Sequence, residues 1–260
     1  MINNNQPIGI FDSGVGGLTV LKAIHKLMPN EDLIYVADSE FVPYGNKSEQ
    51  KIEERVMAIA EHLITKQVKA IVVACNTATA AAANTLREKY SIPIIGLEPA
   101  LKPASESTEC HRVGLLATQS TLDSQKYQEL KSKYGKQIQL VEKASPLFVE
   151  LVETAPEITE TEMLLIEKEL IPFKEAKIDS LVLGCTHYPF LTNLISTIMG
   201  TGVTLFESGL PVAIEVKRRL QDNLHPQKNI GQIEYYSSDV QKSQAVFNRL
   251  LEKTVVIKAF

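Results

Sequence analysis

Short apolar runs alternate with amphipathic stretches along this chain, and this alternation restricts the fold more than any other feature. The runs are rich in Val, Ile and Leu and are short enough to be strands buried on both faces. The stretches between them repeat their apolar residues with the period of a helix. Because strands that alternate with helices favour parallel sheets covered by helices, the sequence predicts an α/β fold.

The predicted strands and helices follow from this pattern. Strands are predicted at Pro7–Phe11, Leu33–Ala37, Lys69–Ala74, Pro93–Gly96, Arg112–Ala117, Gln137–Val141, Ile178–Gly184, Val203–Phe206, Gln232–Tyr236 and Thr254–Lys258. Helices are predicted at Ser48–Lys66, Thr77–Lys89, Thr121–Lys133, Thr159–Phe173, Gly209–Asp222 and Val240–Leu251. Ser48 is a predicted N-cap, and Thr159 with Glu162 fits a capping box.

An internal repeat is visible in two look-alike segments, Ala70–Thr77 and Ser180–His187, each of which carries a cysteine as its sixth residue. Each segment follows an earlier strand pattern at a similar distance, Ile8–Phe11 in the first case and Val113–Leu116 in the second. The repeat predicts two similar α/β units with one thiol each. Ligands of open α/β sheets bind at the carboxyl ends of the strands, so the two thiols are predicted to face one small molecule.

The repeat also suggests where the domains divide. Residues 1–97 together with 210–260 are predicted to form the first domain, and residues 98–209 the second. The segment Leu97–Pro103, which contains two prolines, is the predicted crossing point between them. The return of the last strands and helix to the first domain is a topological hypothesis.

Composition and charge restrict the function classes. The net charge of -4 gives no reason to expect nucleic acid or an anionic membrane as partner. No apolar run is long enough to span a bilayer, and Met1–Gln6 lacks the features of a signal peptide, so a cytoplasmic location is expected. Three widely spaced cysteines argue against a disulfide framework and for reduced thiols.

The segment Asp12–Leu18, Asp-Ser-Gly-Val-Gly-Gly-Leu, follows the first strand and opens a helix. A nucleotide-binding loop is disfavoured because the glycine spacing is wrong, no Lys-Ser/Thr follows, and Asp12 would repel phosphate. A carboxyl group set against a bound ammonium or a thiol fits better. A helix cap with a glycine turn remains the structural alternative.

Asp38 and the segment Pro43-Tyr44-Gly45 come after the second predicted strand. These residues form either a plain surface loop or a loop that folds over a ligand and holds a carboxylate with its backbone N–H groups.

The two cysteines carry the strongest chemical signal. Cys75 precedes Asn76 and Thr77 at a predicted helix start, where free N–H groups favour a thiolate. Cys185 lies two residues before His187, which can assist its thiol or donate a proton to a substrate. The alternatives are buried structural cysteines and a zinc site made of both thiols, His187 and a carboxylate.

Other polar residues carry weaker signals. Thr118 and Thr121 flank a strand-to-helix turn, where they either cap the helix or hold an anion. Cys110 lies in a polar stretch and is interpreted as incidental.

Together these motifs resemble the aspartate/glutamate racemase family, and within it the glutamate racemases, from Ile8 to about Gly209. The motifs that carry the resemblance are Asp12–Leu18, Pro43-Tyr44-Gly45, Ala74-Cys75-Asn76-Thr77-Ala78 and Gly184-Cys185-Thr186-His187-Tyr188-Pro189. The resemblance implies two similar domains, related by a pseudo-twofold axis, with the active site at their interface. It also implies racemisation of glutamate without PLP, metal or nucleotide, which supplies D-glutamate for peptidoglycan.

The family's residue roles can be transferred to matching positions. Cys75 and Cys185 would be the two catalytic bases, with Asp12 assisting the first and His187 the second, and Glu153 would support the second base. The substrate would be held by Asp12, Ser13, Pro43, Tyr44, Gly45, Asn76, Thr77, Thr118, Thr121, Thr186 and His187. The first predicted domain then carries Asp12 and Cys75, and the second carries Glu153, Cys185 and His187.

Three positions depart from the family pattern. Ser145 stands where the family usually has Cys, Glu150 where it has Pro, and Glu207 where it has Asp. The departures concern the surroundings of Glu153 and the branch of the family, and none of them is one of the two bases.

Other functions and partners stay open at this stage. An aspartate racemase would use the same chemistry on a shorter substrate, and a two-lobed amino-acid-binding protein would bind without catalysis. A cysteine hydrolase would need one thiol only. The resemblance also leaves open a homodimer and an effector derived from a cell-wall precursor.

Overall fold

The computed structural model describes residues 4–225 and 229–260 of the chain, so Met1–Asn3 of the segment Met1–Gln6 lie outside the described residues. The strands are β1 Ile8–Asp12, β2 Leu33–Ala37, β3 Ala70–Val73, β4 Ile94–Gly96, β5 Arg112–Ala117, β6 Gln139–Ala144, β7 Ser180–Leu183, β8 Thr204–Phe206, β9 Ile233–Ser237 and β10 Ile257–Ala259. The α-helices are α1 Leu18–Leu27, α2 Glu49–Thr65, α3 Asn76–Lys89, α4 Leu101–Ser107, α5 Gln119–Asp123, α6 Gln125–Tyr134, α7 Leu147–Thr154, α8 Glu160–Glu175, α9 Thr192–Met199, α10 Gly209–Leu220 and α11 Val240–Leu251.

The strands form two parallel sheets. One has the order β10-β9-β2-β1-β3-β4, and the other has the order β6-β5-β7-β8. The central order of the first sheet, β2-β1-β3-β4, recurs in the second, and the registers correspond, since Ile8 pairs with Ala70 and Val113 with Ser180. The predicted α/β fold with two similar parallel sheets is therefore confirmed.

Helices bury both faces of the first sheet. Ile8 and Ile10 pack in one apolar cluster with residues of α1, and Phe11 packs in another cluster with residues of α2 on the opposite face. Successive residues of a strand point to opposite faces, so an all-apolar strand is the expected sequence for this position. The first cluster continues to Phe148 of α7 and Leu181 of β7, so the two sheets share one core.

The predicted helix Thr121–Lys133 is wrong in one respect, because two helices, α5 and α6, occupy that stretch. Ser124 between them is extended, and its hydroxyl accepts a hydrogen bond of 3.2 Å from the backbone N–H of Tyr127. A serine that caps the following helix cannot also continue the preceding one. The Ser48 cap and the capping box at Thr159 are confirmed.

The two strands that follow α10 extend the first sheet, where β9 pairs with β2. The division of the chain into domains at residues 97/98 and 209/210 stays a prediction. Within residues 4–225 and 229–260, every helix is too short or too polar to cross a bilayer.

Candidate active site

A small cavity lies at the carboxyl ends of the strands, where the two sheets face each other. Its lining residues come from both halves of the molecule, one built on the sheet that contains β1 and the other on the sheet that contains β5. They are Ser13, Pro43, Tyr44, Gly45, Cys75, Asn76, Thr77, Thr118, Thr121, Val149, Gly184, Cys185, Thr186 and His187. Both thiols line it, as the repeat predicted. Every residue predicted to hold the substrate lines it as well, except Asp12. Val149 was missed because an apolar residue on an amphipathic helix carries no signal that separates a cavity wall from core.

Cys75 is the N-cap of α3, and its sulfur lies at the free N–H groups of that helix. The Sγ accepts a hydrogen bond from Ala78 N at 3.5 Å and lies 3.8 Å from Ser13 Oγ. Burial raises the pKa of the Cys75 thiol well above its ordinary value, and the charges of Asp12 and Cys185 raise it further. These effects outweigh the Ala78 N–H, so the protonated thiol is the favoured form.

Asp12 lies behind the cavity, fully buried at the end of β1. Its Oδ2 accepts hydrogen bonds from Gly17 N at 2.7 Å and from Thr186 Oγ1 at 3.3 Å. Burial raises the pKa of this carboxyl group, while the nearby His187 acts in the opposite direction. The carboxylate is thus held by the two halves together, next to Cys75.

Cys185 is paired with a buried imidazole. His187 Nδ1 lies 3.7 Å from Cys185 Sγ, and its Nε2 lies 2.7 Å from Glu153 Oε1. Burial lowers the pKa of His187, but the contacts with Cys185 and Glu153 outweigh it and raise the pKa well above the ordinary value. A protonated His187 stabilises a thiolate on Cys185, so the two thiols have opposite electrostatic surroundings.

The glycine loop after β1 brings the two halves into close contact. Glu153 Oε1 accepts a hydrogen bond of 2.9 Å from Val15 N, across the interface. A Cβ at Gly14 would overlap the Glu153 carboxylate, and a Cβ at Gly16 would overlap the His187 ring. The glycines therefore make room for the side chains that surround Cys185.

The loop after β2 is held in place by the carboxylate of Asp38. Tyr44 Oη donates a hydrogen bond of 2.6 Å to Asp38 Oδ2, and Arg55 binds both oxygens of the same carboxylate at 2.7 and 2.9 Å. Asp38 thus does not line the cavity itself but holds the loop, which presents Pro43, Tyr44 and Gly45 to the cavity.

Polar side chains line the remaining walls. The hydroxyls of Thr77, Thr118 and Thr121 lie within 2.9–3.4 Å of one another. Thr118 also caps α5, which confirms the capping interpretation, and it lines the cavity, where the holding of an anion stays a prediction. The buried Asn76 Oδ1 has no hydrogen-bond partner among the described residues, which leaves an acceptor free for an ammonium group.

The zinc alternative requires a set of converging ligands. In the described part of the chain, no three His, Cys, Asp or Glu side chains are arranged to hold a metal ion. Cys110 lies near the carbonyls of Arg112 and Lys177 and is not among the residues that line the cavity.

Comparison with known proteins identifies the family. The model of the family described as Asp/Glu/hydantoin racemase matches residues 8–212. A glutamate racemase of Ectopseudomonas mendocina is 43% identical over 263 residues, which cover 100% of both chains. The Escherichia coli glutamate racemase in complex with L-glutamate and the activator UDP-MurNAc-Ala is 31% identical, with a TM-score of 0.87 over 98% of both chains. The Francisella tularensis glutamate racemase in complex with D-glutamate is also 31% identical, with a TM-score of 0.85 over 99% of this chain and 98% of that one.

The chain therefore belongs to the Asp/Glu/hydantoin racemase family of isomerases, and the resemblance found in its sequence motifs is confirmed.

Proposed function

We propose that this protein interconverts L- and D-glutamate with two cysteine bases and without PLP, metal or nucleotide, and that the D-glutamate serves peptidoglycan synthesis. The observation that carries the proposal is that Cys75 and Cys185 line one cavity from different halves of the chain. The relatives named as glutamate racemases, over nearly the full length of this chain, support glutamate as the substrate.

The cavity walls fit a zwitterion with a second carboxylate. The free Asn76 Oδ1 suits the ammonium group. Backbone N–H groups of the loop at Tyr44 and the hydroxyls of Thr118 and Thr121 suit carboxylates. Donors that face the α-carboxylate would also stabilise the enolate charge that develops when the α-hydrogen leaves.

Inversion needs two bases on opposite faces of the α-carbon. One thiolate removes the α-hydrogen as a proton, and the electron pair of the broken C–H bond delocalises into the α-carboxylate. The thiol on the other face then donates its proton to the same carbon. Enzymes typically lower such barriers by about 8–23 kcal/mol. Enclosure of the substrate between the two halves would exclude water and strengthen these interactions.

The surroundings of the two thiols support unlike protonation states. The raised pKa of Cys75, caused by burial and by Asp12, favours a thiol on that side. Protonated His187 favours a thiolate of Cys185 on the other. Cys75 would therefore act first as the acid and Cys185, next to His187, as the base, and one turnover would exchange these roles.

The rival functions predict different outcomes of one assay. Circular dichroism of L- and D-glutamate with the purified protein, with and without a chelator, should show both solutions approaching the racemate at equal final amplitude. An aspartate racemase would act on aspartate instead, and a binding protein would leave the optical signal unchanged. A cysteine hydrolase would form a trappable adduct on one thiol, and a zinc enzyme would lose activity with the chelator.

Regulation, assembly and location are expectations that accompany this proposal. An activator such as that bound by the Escherichia coli relative would raise the rate when UDP-MurNAc-Ala is added to the assay. Sedimentation at several protein concentrations would distinguish a monomer from a homodimer. A cytoplasmic location is expected, since the proposed product would feed precursor synthesis in that compartment.

A further inference from the structure

Arg249 of α11 contacts a helix that belongs to the other half of the molecule. Its guanidinium Nη1 donates a hydrogen bond to the carbonyl oxygen of Ala155, and its Nη2 donates to that of Val152. Both acceptors lie at the C-terminal end of α7 and belong to buried residues. Helix α11 packs on β9 and β10 of the sheet that also contains the strand before Cys75.

The C-terminal end of α7 needs a hydrogen-bond donor from outside the helix. The last carbonyl groups of a helix have no partner within the helix, and the C-terminal end of its dipole attracts a cation. The last turn of α7 contains no basic residue of its own. Arg249 therefore supplies, from another element, the charge that many helices carry in their own last turn.

Glu153 lies between the two residues whose carbonyl groups Arg249 binds. Its carboxylate oxygen Oε1 accepts hydrogen bonds from Val15 N at 2.9 Å and from His187 Nε2 at 2.7 Å. The position of the imidazole next to Cys185 thus depends on where the last turn of α7 is held. Among the described residues, the charged or titratable groups that face this pair are Asp12, Tyr35, Cys185 and Arg249.

We propose that Arg249 is a positioning residue for the second base, because it fixes the end of α7 so that Glu153 holds His187 against Cys185. Arg249 is not among the residues that line the cavity, and it acts through Glu153 alone. The inference rests on the proposed function for its kinetic consequence, whereas its structural consequence at His187 can be measured without any substrate.

The test compares Arg249→Met with Arg218→Met, a control on the exposed face of α10 whose arginine pairs with Glu215. In Arg249→Met, kcat/KM should fall at least about tenfold, the scale of a lost hydrogen bond to a charged group. The equilibrium constant between the two enantiomers is one, so kcat/KM should fall by the same factor for L- and for D-glutamate. The alkaline limb of the pH profile and the His187 titration followed by NMR should move to lower pH. Arg218→Met should match the wild type in all of these.

A combined variant separates positioning from general stability. If Arg249 acts through Glu153, Arg249→Met should change neither the pH profile nor the His187 titration once Glu153→Gln is present. Additive effects in the combined variant, or a folded Arg249→Met with a wild-type His187 titration, would overturn the proposal. If Arg249→Met does not fold, Arg249→Gln, which removes the charge but keeps a polar side chain, decides, and a wild-type titration there would equally contradict it. Should wild-type protein fail to racemise glutamate, the proposed function fails, while the titration still decides the role of Arg249.

Discussion

His187 and Glu153 form a buried pair, with Nε2 of the imidazole 2.7 Å from Oε1 of the carboxylate. Both side chains are almost fully buried, at 1% and 7% exposure for the two residues. The same carboxylate oxygen is bound by Val15 N of the opposite half. The imidazole next to Cys185 is therefore oriented by residues of α7 and of the loop after β1, two segments far apart in the sequence.

The first prediction concerns this pair. Glu153→Gln keeps the shape but removes the charge that helps to raise the pKa of His187, so that pKa should fall towards its ordinary value. A group with a raised pKa stays protonated to higher pH, so its imidazolium should be lost at lower pH in the variant. The kcat/KM should fall about tenfold near neutral pH. A pH profile of kcat/KM checks this prediction. The control is Glu150→Gln, at an exposed position of the same helix. An unchanged profile in Glu153→Gln would contradict the prediction.

The second prediction concerns the titration of Cys75. In a Cys110→Ser, Cys185→Ser background, burial and Asp12 remain as causes of its raised pKa. Thiolate absorbance in the ultraviolet should therefore appear with a midpoint above the ordinary value of about 8.5. Adding Asp12→Asn should lower the midpoint, because a neutral amide no longer opposes the thiolate charge. A midpoint at or below the ordinary value in the Asp12-containing protein would show that this account of the first thiol is wrong.

The third prediction concerns stability at a position that departs from the family pattern. Ser145 is fully buried, and its Oγ has no hydrogen-bond partner among the described residues. Ser145→Ala should therefore leave the free energy of unfolding unchanged or raise it by up to about 1 kcal/mol, because a buried hydroxyl without a partner is unfavourable.

The equally buried Ser237 is the matched control, since its hydroxyl is bonded to Ser243 Oγ at 2.6 Å and accepts from Asp239 N at 3.1 Å. Ser237→Ala should lower the free energy of unfolding by about 1–2 kcal/mol. Urea unfolding measures both, and an equal loss in the two variants would refute the assignment of Ser145 as an unsatisfied group.

Much of the fold could be predicted from the sequence, because strands buried on both faces need unbroken apolar runs. The ends of edge strands were harder to predict. Strand β6 was predicted to end at Val141, before the charged Glu142 and Lys143, but it continues to Ala144. An edge strand exposes one side to water, so charged residues do not end it, and its length follows the register with β5, where Ala117 pairs with Ala144.

The candidate site was predictable to the extent that it depends on strand ends. Cys75 and Cys185 could be placed from the repeat, since parallel strands end at the same edge of a sheet. The contacts between halves, such as Thr186 with Asp12 and Glu153 with Val15, were not predictable, because no periodicity records how two sheets pack. The assistance proposed for Glu153 came from the family resemblance, and the roles of the site residues stay predictions.

The fourth prediction concerns the two thiols. Cys75→Ser and Cys185→Ser should each reduce kcat by about 10²–10⁴-fold, the contribution of a positioned acid or base. A serine hydroxyl preserves the shape but is far less acidic than a thiol, so it supplies neither base nor acid at neutral pH. Cys110→Ser should keep wild-type activity, because Cys110 does not line the cavity. Full activity in either of the first two variants would contradict the two-base account.

The most direct test is the fate of the α-hydrogen in deuterium oxide, measured by mass spectrometry after the enantiomers are separated at low conversion. Starting from L-glutamate, the D-glutamate formed should carry one deuterium at the α-carbon, while the unreacted L-glutamate keeps its hydrogen. This follows because one thiol removes the hydrogen and the other, equilibrated with solvent, delivers the replacement. Deuterium that appears in recovered L-glutamate as fast as product forms, or D-glutamate that retains the original hydrogen, would contradict the proposed arrangement of Cys75 and Cys185.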